Sequence, residues 1–276
     1  MIILNSNKFN NLMRDPFLDL PRRWDGKNFK NTLKELYSYY LNGLNDVVKV
    51  DHINNINNVC KDLLKTIGFY YSGRHDKSFA QFEKVMKVLK HDNLNFHIKG
   101  SWENSFRDND YLYFFKIANV ANNTLINRKD IFHTPYDMRS KVESSRYSLN
   151  GYPCLYLSSN LELNNLDVKA NNDNLKIASR FSFNRNKALE DITAINNYNI
   201  ENKNYVLRDN RYTNRSFNNV YFDSNDTKVK YLYLYPIIAA CSYIRYNDND
   251  PFAVEHIIPQ LLMQWLKKEN NNQMLY

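Results

Sequence analysis

The chain has 276 residues, of which 43% are hydrophobic, and its 37 Lys and Arg residues outnumber its 29 Asp and Glu residues to give a formal net charge of +8. This length and hydrophobic content predict a folded protein with a substantial core and exclude wholesale disorder. The six glycines are isolated from one another in the sequence. A Rossmann fingerprint and a P-loop are therefore excluded, because both need several closely spaced glycines to bring backbone amides against phosphate.

The cysteines and histidines argue against a metal site. The three cysteines are scattered along the chain, and no HExxH motif occurs among the six histidines. A disulfide framework, a CxxC zinc knuckle and a zincin site are therefore excluded. We expect no metal cofactor.

The apolar segments predict a cytoplasmic protein that is not associated with a membrane. The longest of them, Tyr231 to Ile244, has about fourteen residues and falls short of the roughly 18 needed to span a bilayer. The amino terminus has only four apolar residues before Asn5 and does not resemble a signal peptide.

The positive charge and the 21 Tyr and 16 Phe residues are compatible with nucleic-acid binding, since basic groups contact phosphates and aromatic rings stack on bases. The basic residues are dispersed, however, and their tightest clusters are Arg22-Arg23 and Lys267-Lys268. We therefore do not expect nucleic acid to be the main ligand, and a basic nucleic-acid-binding protein remains a second alternative.

Three amphipathic helices are predicted between about residues 28 and 90, because apolar residues recur there every three or four positions. The stripes run from Leu33 to Leu44, from Ile56 to Ile67 and from Phe79 to Leu89. Stripes of this kind are typical of helix faces buried in a core. They predict a helical amino-terminal domain over residues 1–105.

Short segments rich in aromatic and β-branched residues predict strands further along the chain. They are Tyr111 to Ala118, Cys154 to Leu157 and Val229 to Tyr235. A last helix is predicted from Pro251 to Lys268, with Glu255 and Gln260 facing solvent. The predicted fold class is therefore α+β, with a helical amino-terminal unit followed by a mixed β-sheet domain over residues 106–276.

Four segments of the second part resemble, in order, the RES-domain family, in the bacterial subgroup that has a helical amino-terminal extension. They are FFKIA (114–118), IFHTPYDMRSKVESSRYSLNGYPCLYLSS (131–159), YPIIAACS (235–242) and FAVEHIIPQLLMQWLKKE (252–269). The resemblance implies a mixed-sheet fold similar to that of ADP-ribosyltransferases and an activity that consumes NAD as a substrate. It also implies a toxin that pairs with an antitoxin protein.

The resemblance assigns catalytic roles to three residues. Arg146 matches the family arginine that meets the dinucleotide, and Tyr156 matches the tyrosine that lines the pocket. Lys116 stands where the family usually has an arginine, and a lysine holds a phosphate as a point charge without bidentate geometry. These residue types suit cleavage of NAD, because cations bind its pyrophosphate and aromatic rings contact its nicotinamide.

Polar residues beside these positions complete the predicted NAD site. Tyr147, Ser148 and His133 are assigned to binding the dinucleotide. The acidic catalytic residue is assigned to Asp167 by its position, while Glu162 matches the family glutamate by residue type.

The family serine is expected on a strand after the last helix, but this sequence has no serine beyond Ser242. The RES-like domain is therefore predicted to be shortened at its carboxyl terminus.

Three functions follow as hypotheses. The first is an NAD-consuming enzyme that acts as a glycohydrolase, phosphorylase or ADP-ribosyltransferase, related to toxicity or defence. The alternative is a catalytically inactive RES-like binding module, and the second alternative is the nucleic-acid-binding protein named above. Exposed aromatic strands could pair with an antitoxin or with a second copy of the chain in a homo-oligomer.

Overall fold

The computed structural model of the protein describes residues 4–91, 111–120, 132–156, 175–184 and 225–269, apart from residue 248. Helices account for most of the described residues. The chain divides into two compact units, of which one comprises Met1–Ser101 and Glu190–Tyr276 and the other comprises Trp102–Leu189. The predicted division at residues 1–105 and 106–276 concerns domains that fold independently, and it stays a prediction.

The first unit is helical throughout its described part. Its α-helices are α1 (Ser6–Met13), α2 (Phe29–Gly43), α3 (Val50–Tyr71), α4 (His75–His91), α5 (Asn225–Cys241) and α6 (Ile257–Glu269), with short 3₁₀ helices at Pro16–Leu18 and Val254–His256. Helix α2 begins after Asn28, whose side chain accepts a hydrogen bond from the backbone N–H of Asn31 at 3.1 Å. Helices α2, α3 and α4 cover the three predicted apolar stripes, and α6 covers most of the predicted last helix.

Helix α5 lies where the sequence predicted a strand from Val229 to Tyr235, so that prediction is wrong. Every residue from Val229 to Cys241 except Lys230 is buried. A helix that is buried on all sides carries no amphipathic stripe, and its apolar run is therefore easily mistaken for a buried strand. Helix α5 packs against α3 and α6 at the centre of the unit.

A proline inside α5 is accommodated by two tyrosines of α2. Pro236 has no N–H to donate to the carbonyl of Leu232 one turn earlier. The hydroxyl of Tyr40 donates to that Leu232 carbonyl at 2.7 Å, and the hydroxyl of Tyr37 donates to the carbonyl of Pro236 at 2.8 Å. These two hydrogen bonds therefore fix α2 against the point where the backbone bonding of α5 is interrupted.

Buried tyrosines predict a loss of stability at alkaline pH. Burial raises the pKa of Tyr37, Tyr40 and Tyr235 well above the ordinary tyrosine value of 10.0. The folded protein therefore keeps these protons above pH 10, whereas the unfolded chain releases them. The free energy of unfolding is thus expected to be intact below about pH 10 and to fall as the pH rises further. Urea midpoints at pH 8, 10 and 11, followed by the helical circular-dichroism signal, measure this; an unchanged midpoint would contradict it.

The second unit contains two described strands, β1 (Tyr111–Val120) and β2 (Leu175–Asn184), and a 3₁₀ helix at Tyr136–Lys141. The strands pair antiparallel, with Lys116 opposite Ser179. Strand β1 covers the predicted strand at 111–118, whereas residues 154–156 have no regular structure although a strand was predicted there.

The predicted fold class is wrong. A mixed sheet needs both parallel and antiparallel neighbours. Within the described part of residues 106–276, the strands form one antiparallel pair and residues 225–269 are largely helical. The carboxy-terminal helices α5 and α6 belong to the same compact unit as the amino-terminal helices, and they do not cover a sheet domain.

Candidate functional site

The candidate site is centred on a tight turn from Ser145 to Ser148. The backbone N–H of Ser145 donates to the carbonyl of Ser148 at 3.0 Å, and the N–H of Ser148 donates back to the carbonyl of Ser145 at 3.2 Å. This reciprocal pair is the pattern of a two-residue hairpin loop, with Arg146 and Tyr147 as its two loop residues. The hydroxyls of the flanking serines are also hydrogen-bonded to each other.

Tyr156 closes this turn from a later segment of the chain. Its hydroxyl accepts a hydrogen bond from the backbone N–H of Tyr147 at 3.1 Å and donates to Ser148 Oγ at 3.3 Å. The same hydroxyl is hydrogen-bonded to the side chain of Ser145. Ser148 is only 3% exposed, while the Tyr156 side chain is 44% exposed. The Tyr156 hydroxyl therefore fixes the shape of the turn, and one side of the residue remains open to solvent.

The chain returns to the turn through a glycine. Gly151 has a φ of +73°, a left-handed conformation that side chains disfavour. Its N–H donates to the carbonyl of Val142 at 2.9 Å. This bend brings the segment containing Tyr156 back against the serines, and the sequence signal for it is the single glycine between the Arg-Tyr-Ser and Cys-Leu-Tyr segments.

Lys116 lies with the segment that carries His133. Its ammonium group donates to the carbonyl of Phe132 at 2.7 Å. The side chain is about half buried, and this burial lowers the pKa of Lys116 below the ordinary lysine value. The lysine therefore orders the backbone immediately before His133.

His133 is held by its own neighbours. Its Nδ1 lies 2.7 Å from the carbonyl of Thr134, and because a carbonyl only accepts, Nδ1 carries the proton in this bond. The imidazole contacts the rings of Phe132 and Tyr136, with centroid distances of 4.6 and 5.3 Å. These contacts fix the orientation of the ring and leave Nε2 as its acceptor nitrogen.

The structure thus brings together Tyr147, Ser148 and Tyr156 at the Arg146 turn, and it separately connects Lys116 to the His133 segment. The predicted acid Asp167 and its alternative Glu162 lie outside the described residues. Each predicted catalytic and binding role stays a prediction.

Buried polar groups on the last helical segment were missed by the sequence analysis. Glu255 and Gln260 were predicted to face solvent, but they are only 2% and 5% exposed. Glu255 Oε1 accepts a hydrogen bond from the backbone N–H of Tyr246 at 2.8 Å, which satisfies one oxygen of the buried carboxylate. Both residues stand in an otherwise apolar run, and this is the signal that they are buried.

Two further surveys concern membranes and metals. Among the helices in the described part of the chain, none combines the length and apolar character that crossing a bilayer requires. Within the same residues, no group of three or more His, Cys, Asp or Glu side chains is placed to hold a metal ion. The cytoplasmic location stays a prediction.

The chain is similar to a protein of Bacillus subtilis (strain 168) named "Putative toxin YopC", with 25% identity over 271 residues. The alignment covers 92% of this chain and 56% of YopC, so the chain spans little more than half the length of that relative. No family model matches the chain. No solved structure matches it either. The RES-domain resemblance therefore stays a prediction.

Proposed function

We propose that the chain is a toxin-type protein, and that its toxicity comes from consuming NAD. The observation that carries the first part is the similarity to YopC, because the alignment extends over 92% of the chain and includes both compact units. The second part rests on the RES-domain resemblance and on the chemistry of the Arg146 turn.

The turn presents groups suited to an anionic dinucleotide. Arg146 is partly exposed on a two-residue loop, where its guanidinium can form two parallel hydrogen bonds to a phosphate group. Tyr147 follows it on the same loop, and the exposed part of Tyr156 offers an aromatic surface beside it. A fixed loop holds these groups with little motion left to lose on binding.

The proposed reaction breaks the bond between the ribose and the nicotinamide of NAD. The electron pair of that bond stays on the nicotinamide nitrogen, which neutralises its positive charge and releases nicotinamide. An oxygen of water, phosphate or a protein side chain bonds to the ribose carbon and gives up its proton. Arg146 and Lys116 would hold the pyrophosphate, and Asp167 would stabilise the developing cation on the sugar.

A second candidate is a binding module on the same scaffold, for which an antitoxin or a second copy of this chain is the proposed partner. It is favoured by the engagement of the Tyr156 and Ser148 hydroxyls, which bind each other and shape the turn. An inactive protein would keep this turn unchanged, since the hydrogen bonds that hold it involve no substrate.

Controlled expression of the chain in a bacterial host tests the proposal. Growth arrest with a fall in cellular NAD is the expected result, and the same chain carrying Arg146→Ala is expected to leave both growth and NAD unchanged at equal protein level. Growth arrest without NAD loss would overturn the NAD proposal and retain the toxin. Normal growth with intact NAD, at an expression level confirmed by immunoblot, would contradict both.

A further inference from the structure

Two segments of the helical unit run side by side near its surface. The backbone N–H of Arg22 donates to the carbonyl of Ser242 at 3.2 Å, and the N–H of Ile244 donates to the carbonyl of Arg22 at 2.8 Å. Together these bonds form a parallel bridge between Arg22 and Tyr243. Continuing that register by two residues places Trp24 beside Arg245.

Three N–H donors on these segments are buried without an acceptor. They are Nε of Arg22, Nε1 of Trp24 and Nε of Arg245. Side chains separated by two residues in an extended segment point to the same face, so the register brings the three donors to one side of the paired segments. Buried donors are nearly always satisfied in folded proteins, and a group of three unsatisfied donors therefore calls for an explanation.

Both guanidinium groups are held in fixed orientations by other bonds. Arg22 Nη1 donates to the carbonyl of Phe17, and the guanidinium lies 4.7 Å from the centroid of the Phe17 ring. Arg245 Nη2 donates to the carbonyl of Asp250 at 2.5 Å. These anchors use one terminal nitrogen of each arginine and leave the Nε–H groups oriented but unused.

No described carboxylate lies within ion-pair distance of either arginine. The buried carboxylate of Glu255 lies close by in the fold, but it accepts from the backbone N–H of Tyr246. Two cationic groups with three unsatisfied donors and no counter-ion among the described residues match the needs of a tetrahedral oxyanion, which accepts several hydrogen bonds from different directions.

We propose that Arg22, Trp24 and Arg245 form a binding site for a phosphate group, either as free phosphate or as part of a phosphorylated small molecule. This site lies in the helical unit and is independent of the NAD chemistry proposed for the Arg146 turn. An anion there would accept hydrogen bonds from all three donors and offset the charge of both arginines.

The side chain of Tyr246 covers this site. Its ring lies 5.6 Å from the Trp24 ring and directly over Gly26, where an added Cβ would come within 2.5 Å of a ring carbon. Gly26 also has a φ of +77°, so glycine is suited to the position in both space and conformation. Tyr246 is 57% exposed, so outward rotation of this side chain opens a path to the three donors.

Thermal unfolding of the full chain with inorganic phosphate, compared with chloride at equal ionic strength, tests the site. We expect a saturable rise in Tm of roughly 2–4 °C at about five times the Kd. Phenyl phosphate, measured in parallel, distinguishes a free anion from a phosphomonoester: a rise with either compound supports the site. No saturable rise with phosphate or phenyl phosphate would overturn it.

Matched variants locate the effect. Trp24→Phe keeps an aromatic ring but removes the N–H, and Arg245→Gln removes the charge, so both are expected to weaken the phosphate response at least about tenfold in apparent Kd. Arg23→Gln changes an exposed neighbour and is expected to retain the full response. Arg146→Ala is also expected to retain it, so that failure of the NAD proposal is recognised separately. Equal responses in all four variants would overturn the site.

Discussion

Replacement of Arg146 by alanine is expected to lower the rate of nicotinamide release from NAD by at least about 100-fold, the usual scale for losing one charged hydrogen-bond donor at a reacting substrate. The purified wild-type and variant chains are compared by chromatography of the released nicotinamide. The fold should survive, because the hydrogen bonds that define the turn come from the backbone and hydroxyl groups of its neighbours. Equal Tm values for the two proteins would establish this.

Arg139→Ala is the matched control for this experiment. Arg139 is an exposed arginine in the nearby 3₁₀ helix at Tyr136–Lys141, and its removal changes the net charge by the same amount. We expect it to leave nicotinamide release within about twofold of wild type. Arg146→Lys should be intermediate, because lysine keeps the charge and loses the bidentate geometry. Full activity of Arg146→Ala would remove Arg146 from the mechanism.

Replacement of Tyr40 by phenylalanine is expected to lower the free energy of unfolding by roughly 1–3 kcal/mol, the cost of leaving a buried acceptor unsatisfied. The hydroxyl of Tyr40 donates to the carbonyl of Leu232 at 2.7 Å, and Pro236 prevents the usual helical donor from replacing it. The ring itself would stay buried against Tyr235, so the change isolates the hydrogen bond from packing. Urea denaturation measures the difference.

Tyr39→Phe is the control for this change. Tyr39 lies on the same helix, but it is 42% exposed and its hydroxyl binds Asp15. Its loss is expected to cost less than about 0.5 kcal/mol, as for most surface substitutions. Adding Pro236→Ala to the Tyr40→Phe chain should recover part of the lost stability, because alanine supplies an N–H for the Leu232 carbonyl. A Tyr40→Phe chain as stable as wild type would contradict this account of the core.

The three helices between residues 28 and 90 could be predicted because each buries one face and leaves the other in solvent. The segment from Val229 to Cys241 could not, because it is buried on all sides and its tyrosines and valine have high strand preference. Its proline also argued against a helix. The compensating hydroxyls of Tyr37 and Tyr40 are nearly 200 positions away in sequence, and local patterns cannot reveal such partners.

The candidate site was predictable in part. The Arg-Tyr-Ser segment and Tyr156 were singled out from their sequence context, and the structure joins them through the Tyr156 hydroxyl. The tight turn itself was not foreseen, because Ser145 and Ser148 are not the glycine or asparagine residues that signal such turns. The donors of Arg22, Trp24 and Arg245 were missed because their convergence depends on two segments more than 200 residues apart.

The most direct test of the proposed function is incubation of the purified wild-type chain with NAD, with and without inorganic phosphate, while nicotinamide is followed by chromatography. The account predicts nicotinamide release, and a dependence of the rate on phosphate would distinguish phosphorolysis from hydrolysis. No release from a protein with intact helical circular dichroism, free of any bound partner, would contradict the NAD-consuming function and leave the binding module.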